Sequence, residues 1–370
     1  MVKSINIQNF KIFKKAKFAD FGQVNLLGGL NNGGKTTLLE ALYLAISPSN
    51  KAILSIKGLR REAIDKKMIE ETFDTIWDNL FYLHDKNSPI TIDLTTEQND
   101  FYRLKITCDS EIDDFIKFLK DDSDIESEVL EITKSLSNQE NSKSALHIES
   151  QKNSQDYASS VLVASKNGLV GRGLNTTAIQ KVALIPSAGR IEGEGLAKIY
   201  SQTELKGQHQ PVIDLLQAFD AEIESVRVFN NTGKPLLNIR RKNEPFMLLS
   251  SFGDAMNRMV DLVLRIVNNE NGIVLIDEIE NGVHYTKHEA IWALIFTLAD
   301  RFKVQIFATT HSKEMMSSFD RVAINNNTVE AKYIEVFKSS RTNDIKSNVF
   351  DRKKLEYALS QNEPLRGETL

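Results

Sequence analysis

The sequence predicts an α/β fold in which a mixed central sheet is flanked by helices. Three short apolar runs, each suited to a buried strand, lie at residues 23–27, 272–278 and 304–310. The first precedes a run with apolar residues at helical spacing, residues 37–46, and a similar run at residues 289–302 separates the other two. Strands that alternate with helices in this way are typical of a parallel sheet covered on both faces.

The composition is that of a globular protein with a substantial core. Of the 370 residues, 41% are hydrophobic and 26% are charged. This length suits two average domains, or one large α/β domain that carries an insertion. The net charge of -4 argues against a protein coated with basic groups for nucleic acid, although it leaves room for local basic patches.

Two features indicate the cellular compartment. Cys108 is the only cysteine, so the chain cannot form an internal disulfide and suits a reducing cytosol. The first residues lack the apolar segment of a signal peptide, and no run approaches the ~18 apolar residues needed to span a bilayer. We therefore expect a cytoplasmic protein with no membrane partner.

The first strand is predicted over residues 2–8, where apolar and polar residues alternate. We interpret it as an edge strand that enters the same sheet as residues 23–27. The same alternation predicts a hairpin over residues 89–106. Four lysines just after the first strand form either a solvated rim, which we favour, or a nucleic-acid contact: they are Lys11, Lys14, Lys15 and Lys17.

A glycine-rich loop joins the strand at residues 23–27 to the helix that follows. Residues 29–36 read G-L-N-N-G-G-K-T and fit the pattern G-x-x-x-x-G-K-[ST]. The backbone N–H groups of such a loop and the adjoining helix N-terminus form a phosphate site. Lys35 is suited to reach the β- and γ-phosphates of ATP, and the Thr36 hydroxyl to ligate Mg²⁺. The predicted nucleotide contacts in this region are Asn31, Asn32, Gly33, Gly34, Lys35, Thr36 and Thr37.

Residues 109–160 differ in composition from the rest of the chain. They contain neither glycine nor proline, and between Asp109 and Asp156 there are thirteen acidic and five basic residues, a net charge of −8. Apolar spacing predicts two amphipathic helices within residues 112–136, with a mobile loop beyond them. We interpret the segment as an acidic helical insertion, either a surface excursion or a docking arm for a partner protein. It divides the predicted core into residues 1–108 and 161–370.

Two carboxylates end the strand predicted over residues 272–278. Ligands bind beside the carboxyl ends of parallel strands, so we expect Asp277 and Glu278 to lie near the glycine-rich loop. Asp277 is expected to hold Mg²⁺, and Glu278 to act as general base toward an attacking water. Paired acidic residues can instead begin a helix, but that alternative does not explain their combination with the loop.

Two further segments are candidates for contact with phosphate. His311 follows the strand at residues 304–310, where it is expected to bind the γ-phosphate and sense its presence. Ser251 and Gly253 precede a helix predicted over residues 255–267, and form either a second phosphate site or an N-capping box.

Together, these motifs resemble those of the ABC-type P-loop ATPases of the SMC, RecF and OLD group. The residues that carry the resemblance are the loop with paired asparagines at residues 29–36, a degenerate signature loop at residues 249–254, D-E-x-E-N-G-x-H at residues 277–284 and T-T-H-S at residues 309–312. The chain is most similar to the bacterial AAA15/AAA21-type ATPases of the OLD-like branch that lack a TOPRIM domain. The resemblance does not extend to the acidic segment.

The resemblance implies a Mg²⁺-dependent ATPase whose catalytic residues are Lys35, Glu278 and His311. It also implies a head-to-tail homodimer, or a higher oligomer, that ATP closes. In that dimer Ser251, Gly253 and Asp254 would contact ATP bound to the opposite subunit, and residues 281–284 would lie at the seam. Phe252 departs from the family pattern, because many relatives have glycine there, and no glutamine matches the Q-loop.

Three functions remain open from the sequence. The predicted one is an ATPase that senses or regulates a separate effector, a nuclease or toxin in bacterial antiphage defence, since the residues after His311 lack the acidic cluster of the nuclease domain found in OLD-like relatives. The alternative is a DNA-binding ATPase of repair or chromosome maintenance, with Lys11, Lys14, Arg60, Arg240 and Arg241 facing the duplex. A transporter ATPase subunit is least expected, because the signature loop matches L-S-G-G-Q poorly.

Overall fold

The computed structural model describes residues 1–59, 75–109, 143–165, 168–174, 178–187, 193–231 and 233–361, which form sixteen strands and eight α-helices. The strands are β1 Val2–Phe10, β2 Phe13–Phe18, β3 Val24–Gly28, β4 Ile90–Thr96, β5 Phe101–Asp109, β6 Lys143–Lys152, β7 Gln155–Ser165, β8 Gly168–Leu174, β9 Val182–Ile185, β10 Ile223–Asn231, β11 Lys234–Arg241, β12 Met247–Leu248, β13 Ile273–Ile276, β14 Gln305–Thr309, β15 Ala331–Lys338 and β16 Ile345–Phe350. The helices are α1 Lys35–Ile46, α2 Asn50–Leu59, α3 Gly193–Leu205, α4 Gln210–Phe219, α5 Asp254–Asn268, α6 His288–Phe302, α7 Lys313–Asn325 and α8 Arg352–Ser360.

The chain divides into two compact units, and both are discontinuous in sequence. The first comprises Met1–Asp20, Glu40–Ile179 and Lys338–Lys346, and the second comprises Phe21–Leu39, Gln180–Phe337 and Ser347–Leu370. No helix among the described residues is both long and apolar enough to cross a membrane.

The first unit contains a seven-stranded sheet in the order β2-β1-β4-β5-β6-β7-β8, and its neighbouring strands are antiparallel. Its strands alternate between buried and more exposed residues because one face of the sheet packs on the core. On β1, for example, Ile5 and Ile7 are fully buried opposite Leu94 and Ile92 of β4.

Two predictions for this region are wrong. The strand predicted at residues 2–8 is not an edge strand of the sheet that carries the glycine-rich loop, because β1 lies between β2 and β4 in the antiparallel sheet. Residues 143–160, predicted as part of a helical insertion with a mobile loop, form β6, a turn and the first part of β7. Buried side chains such as Leu146 and Ile148 stabilise these strands, and pairing with neighbouring strands satisfies their backbone hydrogen bonds. The two helices predicted within residues 112–136 lie outside the described residues.

The predicted lysine cluster does not behave as one surface. Lys11 Nζ lies 2.9 Å from Glu40 Oε2 in α1, and their side chains are only 11% and 2% exposed. Lys14, Lys15 and Lys17, by contrast, point from β2 into solvent. Lys11 is therefore part of a largely buried ion pair, and not of a solvated rim or a nucleic-acid contact.

The second unit is built on a six-stranded sheet in the order β16-β15-β3-β14-β13-β9. Strands β15, β3, β14, β13 and β9 are parallel to one another. All residues of β3, β13 and β14 are buried, as expected for strands covered on both faces. Since parallel strands end at the same edge, the residues that follow these three strands meet there.

The helices around this sheet lie close to where the sequence predicts them. The runs predicted at residues 255–267 and 289–302 are helices α5 and α6. Helix α6 packs on α7 through Trp292, whose ring meets that of Phe319 edge-on at 4.9 Å. Strands β10, β11 and β12 form a separate three-stranded antiparallel sheet in this unit.

Helix α7 also carries a buried carboxyl group, that of Asp320. This residue is 7% exposed, and its Oδ1 has no hydrogen-bond partner among the residues that the structure describes. Burial, reinforced by the negative charge of Glu356 on α8, raises the pKa of Asp320 to about 6.

We expect the substitution Asp320→Asn to stabilise the protein at neutral pH but not near pH 4. Because the folded-state pKa lies above the unfolded value, the carboxyl group destabilises the folded protein increasingly as the pH rises from about 4 to about 6, and fully above that range. Removing its charge should add about 1–2 kcal/mol to the free energy of unfolding at pH 7. Urea denaturation at several pH values measures this gain.

A gain of equal size at every pH would contradict this account. Asp300→Asn is the matched control, because hydrogen bonds from Lys303 and Thr328 lower the pKa of Asp300. Its substitution should therefore give no gain at neutral pH.

Candidate active site

The glycine-rich loop lies between the end of β3 and the start of α1, and its backbone requires glycine at two positions. Gly29 has a φ of 140°, and a Cβ there would lie 2.1 Å from the carbonyl oxygen of Val336. Gly34 has a φ of 100°. Non-glycine residues rarely adopt such angles. Asn31 and Asn32 lie at the exposed tip of the loop.

The side chain of Lys35 folds back over this loop. Its Nζ donates hydrogen bonds to the carbonyl oxygens of Gly29 at 2.7 Å and Leu30 at 2.9 Å, and lies 3.3 Å from Nδ1 of His311. Lys35 is 4% exposed, and burial lowers its pKa to about 8 despite the nearby carboxylates of Asp277, Glu280 and Glu278. An ammonium group removed from water in this way strongly favours an anionic ligand.

Thr36 and Asp277 meet across 241 residues of sequence. Thr36 Oγ1 donates a hydrogen bond of 2.9 Å to Asp277 Oδ1. The hydroxyl of Thr309, at the end of β14, donates a second hydrogen bond of 2.8 Å to the same oxygen. These contacts hold the Asp277 carboxylate, which is 6% exposed, against the first turn of α1.

Glu278 has a left-handed backbone, with a φ of 48°. Its N–H donates to Thr309 Oγ1 at 2.7 Å, while its Oε2 accepts a hydrogen bond of 2.5 Å from Asn281 Nδ2. Its Oε1 lies 3.8 Å from His311 Nε2. The carboxylate is therefore held between an amide and an imidazole, and its side chain is still 35% exposed.

Burial and the positive charge of Lys35 lower the pKa of His311, so its imidazole is neutral at pH 7. Because Lys35 can only donate, Nδ1 accepts and the ring proton is assigned to Nε2. The backbone N–H of His311 donates to Glu280 Oε1 at 2.6 Å. Glu280 Oε2 is buried and has no hydrogen-bond partner among the described residues.

The predicted signature loop forms a short 3₁₀ turn, Leu249–Phe252, that leads through Gly253 into α5. Gly253 has a φ of 87° and no atom within 4 Å of the position a Cβ would occupy. Ser251, Gly253 and Asp254 are exposed. The ring of Phe252, which departs from the family pattern, packs under the guanidinium of Arg241 at 5.0 Å.

The structure thus brings together five of the predicted residues: Lys35, Thr36, Asp277, Glu278 and His311. Sequence reasoning did not assign roles to three others that shape this site, namely Thr309, Glu280 and Arg258. The sequence contained a signal for two of them: Glu280 is the third acidic residue of D-E-x-E, and Thr309 belongs to the threonine pair at the end of β14. No sequence signal marked Arg258, which reaches the site from a position one turn into helix α5.

The residues at this site fit a nucleoside triphosphate and Mg²⁺. The curved backbone of the loop depends on glycine, because a Cβ at Gly29 would clash with the carbonyl oxygen of Val336. Lys35, whose ammonium group is desolvated, lies beside this backbone and can pair with a phosphate group. Thr36 and Asp277 offer a hydroxyl and a carboxylate oxygen 2.9 Å apart, and hard oxygen ligands of this kind are those that Mg²⁺ prefers.

Several known proteins are similar to this chain. The model of a family described as "AAA domain, putative AbiEii toxin, Type IV TA system" matches residues 24–317. An "ATP/GTP phosphatase" of Helicobacter pylori is 24% identical over 349 residues, a match that covers 87% of this chain and 88% of that protein. An uncharacterised protein of Methanocaldococcus jannaschii is 32% identical over 106 residues, or 29% of this chain and 46% of that protein. Among solved structures, an SMC head bound to the C-terminal winged-helix domain of ScpA is similar with a TM-score of 0.48 and 11% identity, covering 97% of this chain and 99% of that chain.

We expect Thr309→Val to slow the predicted ATP hydrolysis while largely preserving nucleotide binding. Valine has a similar shape but neither accepts from Glu278 N–H nor donates to Asp277, so the Asp277 carboxylate and the Glu278 backbone each lose a positioning contact. An unsatisfied buried donor costs about 1–3 kcal/mol, and we expect kcat to fall by about tenfold or more with KM for ATP changed less than about threefold. Steady-state kinetics measure both values.

The control for this prediction is Thr297→Val on α6, whose exposed hydroxyl donates only to the backbone of its own helix. It should leave kcat unchanged. Equal effects of the two substitutions, or a rise in KM alone, would contradict the role given to Thr309.

Proposed function

We propose a function for this chain from its membership of the AAA-domain family, whose model matches residues 24–317, and from its identity as a P-loop ATPase. In this proposal the chain works as a two-fold homodimer that regulates a separate effector protein. The observation that carries the nucleotide chemistry of this proposal is the meeting of Lys35, Asp277, Glu278 and His311 at the ends of three neighbouring parallel strands. This arrangement supports binding of ATP with Mg²⁺ and attack by water on the γ-phosphate.

The glycine-rich loop would hold the phosphates through its backbone N–H groups, with Asn31, Asn32 and Thr37 beside them. Thr36 and Asp277 would hold Mg²⁺, which when bound neutralises charge on the β- and γ-phosphates. Lys35 would exchange the carbonyl oxygens of Gly29 and Leu30 for phosphate oxygens, which are stronger partners for an ammonium group.

Glu278 would act as the general base that accepts a proton from the attacking water. Asn281 and the backbone contact to Thr309 orient its carboxylate. The neutral His311 carries its proton on Nε2, facing the carboxylate, so it can donate a hydrogen bond to a γ-phosphate oxygen and report whether that group is present.

We propose that the second half of each site comes from another copy of the chain. The exposure of Ser251, Gly253 and Asp254 at the N-terminus of α5 supports this, because a helix N-terminus attracts phosphate. Each chain would offer one loop and one signature, so two copies related by a two-fold axis would form two equal sites. ATP that contacts both copies would favour the closed dimer, and hydrolysis would release it.

The effector is proposed as a separate nuclease or toxin of bacterial antiphage defence, in a cytoplasmic setting. The family description includes the words "Type IV TA system"; a toxin–antitoxin system has two components, which supports a role for this chain beside a second protein. Residues 109–142, the most acidic part of the chain, remain our candidate for a partner-docking segment.

A DNA-binding ATPase of repair or chromosome maintenance has less support. Lys11 pairs with Glu40, Arg240 pairs with Glu224 and Arg241 pairs with Asp220. Of the other basic residues proposed to face DNA, Lys14 is exposed and Arg60 lies outside the described residues. A DNA affinity that falls steeply with salt would favour this alternative.

We expect Lys35→Ala to weaken ATP binding by about 10- to 100-fold, because it removes a charge-assisted contact to phosphate. Isothermal titration calorimetry with ATP and Mg²⁺ measures the affinity. Lys198→Ala, at an exposed lysine of α3, is the control and should bind normally. Unchanged ATP binding by the Lys35 variant would overturn the assignment of the site.

We expect ATP with Mg²⁺ to convert the protein to a dimer, and Glu278→Gln to hold it in that form because hydrolysis is blocked. Light scattering of both proteins, with and without ATP, measures the mass. A monomer under all conditions would overturn the role in trans given to Ser251 and Gly253. A large mass that ATP does not change would show that ATP acts within a permanent oligomer and not by closing a dimer.

A further inference from the structure

Arg258 of α5 connects the ends of two neighbouring strands. Its Nη1 donates to the carbonyl oxygens of Pro186 at 3.2 Å and Ser187 at 3.0 Å, just after β9. Its Nη2 donates to those of Asp277 at 2.7 Å and Glu278 at 2.9 Å, just after β13. One guanidinium group therefore satisfies four main-chain carbonyls, two on each strand end.

The backbone that Arg258 holds is strained at the residue assigned as general base. A left-handed conformation at a residue other than glycine costs about 1–2 kcal/mol and persists when the surrounding structure fixes it. At Glu278 the N–H is held by Thr309 Oγ1 at 2.7 Å, and the carbonyl is held by Arg258 at 2.9 Å. The preceding residue, Asp277, is held by Arg258 at its carbonyl and by Ile185 at its N–H, 2.8 Å away.

We propose that Arg258 is a positioning residue for ATP hydrolysis: it holds the Asp277–Glu278 turn so that the two carboxylates point in their separate directions. The inference rests on the proposed function only in that Glu278 is taken as the general base. Arg258 acts through the main chain and through no contact with phosphate.

The chemistry of the group suits this task. Burial lowers the pKa of Arg258, but a guanidinium remains protonated in proteins. Its two NH₂ groups diverge in a fixed plane, so they can serve two strand ends at once, whereas a lysine ammonium concentrates its donors at one point. The nearby carboxylates of Asp277, Glu278, Asp261 and Glu280 offset its charge.

The position of Arg258 also connects two parts of the site. Helix α5 begins at Asp254, immediately after Ser251 and Gly253, and Arg258 lies one turn further along it. A movement of the start of this helix would therefore reach the Asp277–Glu278 backbone through the two hydrogen bonds of Nη2. If Arg258 had a purely structural role, its hydrogen bonds would serve only to satisfy buried carbonyls. Removing its side chain would then lower the stability of the protein but leave kcat unchanged.

The test compares Arg258→Ala and Arg258→Lys with the wild-type protein and with Arg265→Ala. Arg265 is the matched control, because it lies on the same helix and pairs with Asp261 at 2.8 Å, away from the strand ends. We expect kcat for ATP hydrolysis to fall about 10- to 100-fold in Arg258→Ala, as displacements of about 1 Å at a reacting group do. The Kd for ATP, measured in the presence of EDTA to prevent turnover, should change by less than about threefold.

Chemical rescue distinguishes positioning from stability. Guanidinium chloride, far below denaturing concentrations, should restore part of the lost kcat in Arg258→Ala, while equal concentrations of sodium chloride or urea should not. Arg258→Lys should remain slow, and guanidinium should not rescue it, because the lysine side chain occupies the cavity. Arg265→Ala should keep the wild-type kcat.

Two results would overturn the inference: a kcat in Arg258→Ala equal to that of the wild type, or a lost kcat that guanidinium does not restore. Glu278→Gln, measured in parallel, keeps this failure separate from that of the proposed function. If Glu278→Gln retains full turnover, the assignment of the general base is wrong. If it is inactive while Arg258→Ala is fully active, the role of Arg258 alone is wrong.

Discussion

The parallel pairing of β3, β14 and β13 is the constraint on which the candidate site depends. In this register Leu27 lies beside Thr309, and Ala308 lies beside Ile276. The glycine-rich loop, the paired carboxylates and His311 each follow one of these strands. Because the strands are parallel, these groups lie close together at the carboxyl edge of the sheet. A shift by one residue would turn the Thr309 side chain to the opposite face and away from Asp277.

Charge that is partly removed from water sets the chemistry at this edge. Lys35 is surrounded by carbonyl dipoles and three carboxylates, yet burial still lowers its pKa to about 8. Arg258 is also partly desolvated near these carboxylates, and it satisfies four main-chain carbonyls. Groups that are already oriented and desolvated need little rearrangement when a ligand arrives, which is how a site stabilises developing charge efficiently.

The local patterns of the sequence predicted most elements of the second unit but misplaced two regions of the first. The alternation in residues 2–8 shows that one face of a strand is buried, but it does not specify the sheet in which that strand pairs. Residues 143–160 have the composition of a polar loop, and their strand structure depends on hydrogen bonds to β5 and β8 on either side. Composition is a poor guide where a few buried side chains, such as Leu146 and Ile148, and pairing with neighbouring strands together stabilise a largely polar segment.

The sequence by itself determined the glycine-rich loop, the buried strands and the acidic and histidine residues that end them, because these features depend on near neighbours in the chain. It therefore determined the class of fold and the family. Only the tertiary structure decided which residues hold the reacting groups in place. The two hydrogen bonds of the Thr309 hydroxyl, the contact of Glu280 with the His311 backbone and the four bonds of Arg258 join residues 19 to 72 positions apart. Such contacts exist only once parallel strands have been brought side by side, and no local pattern encodes them.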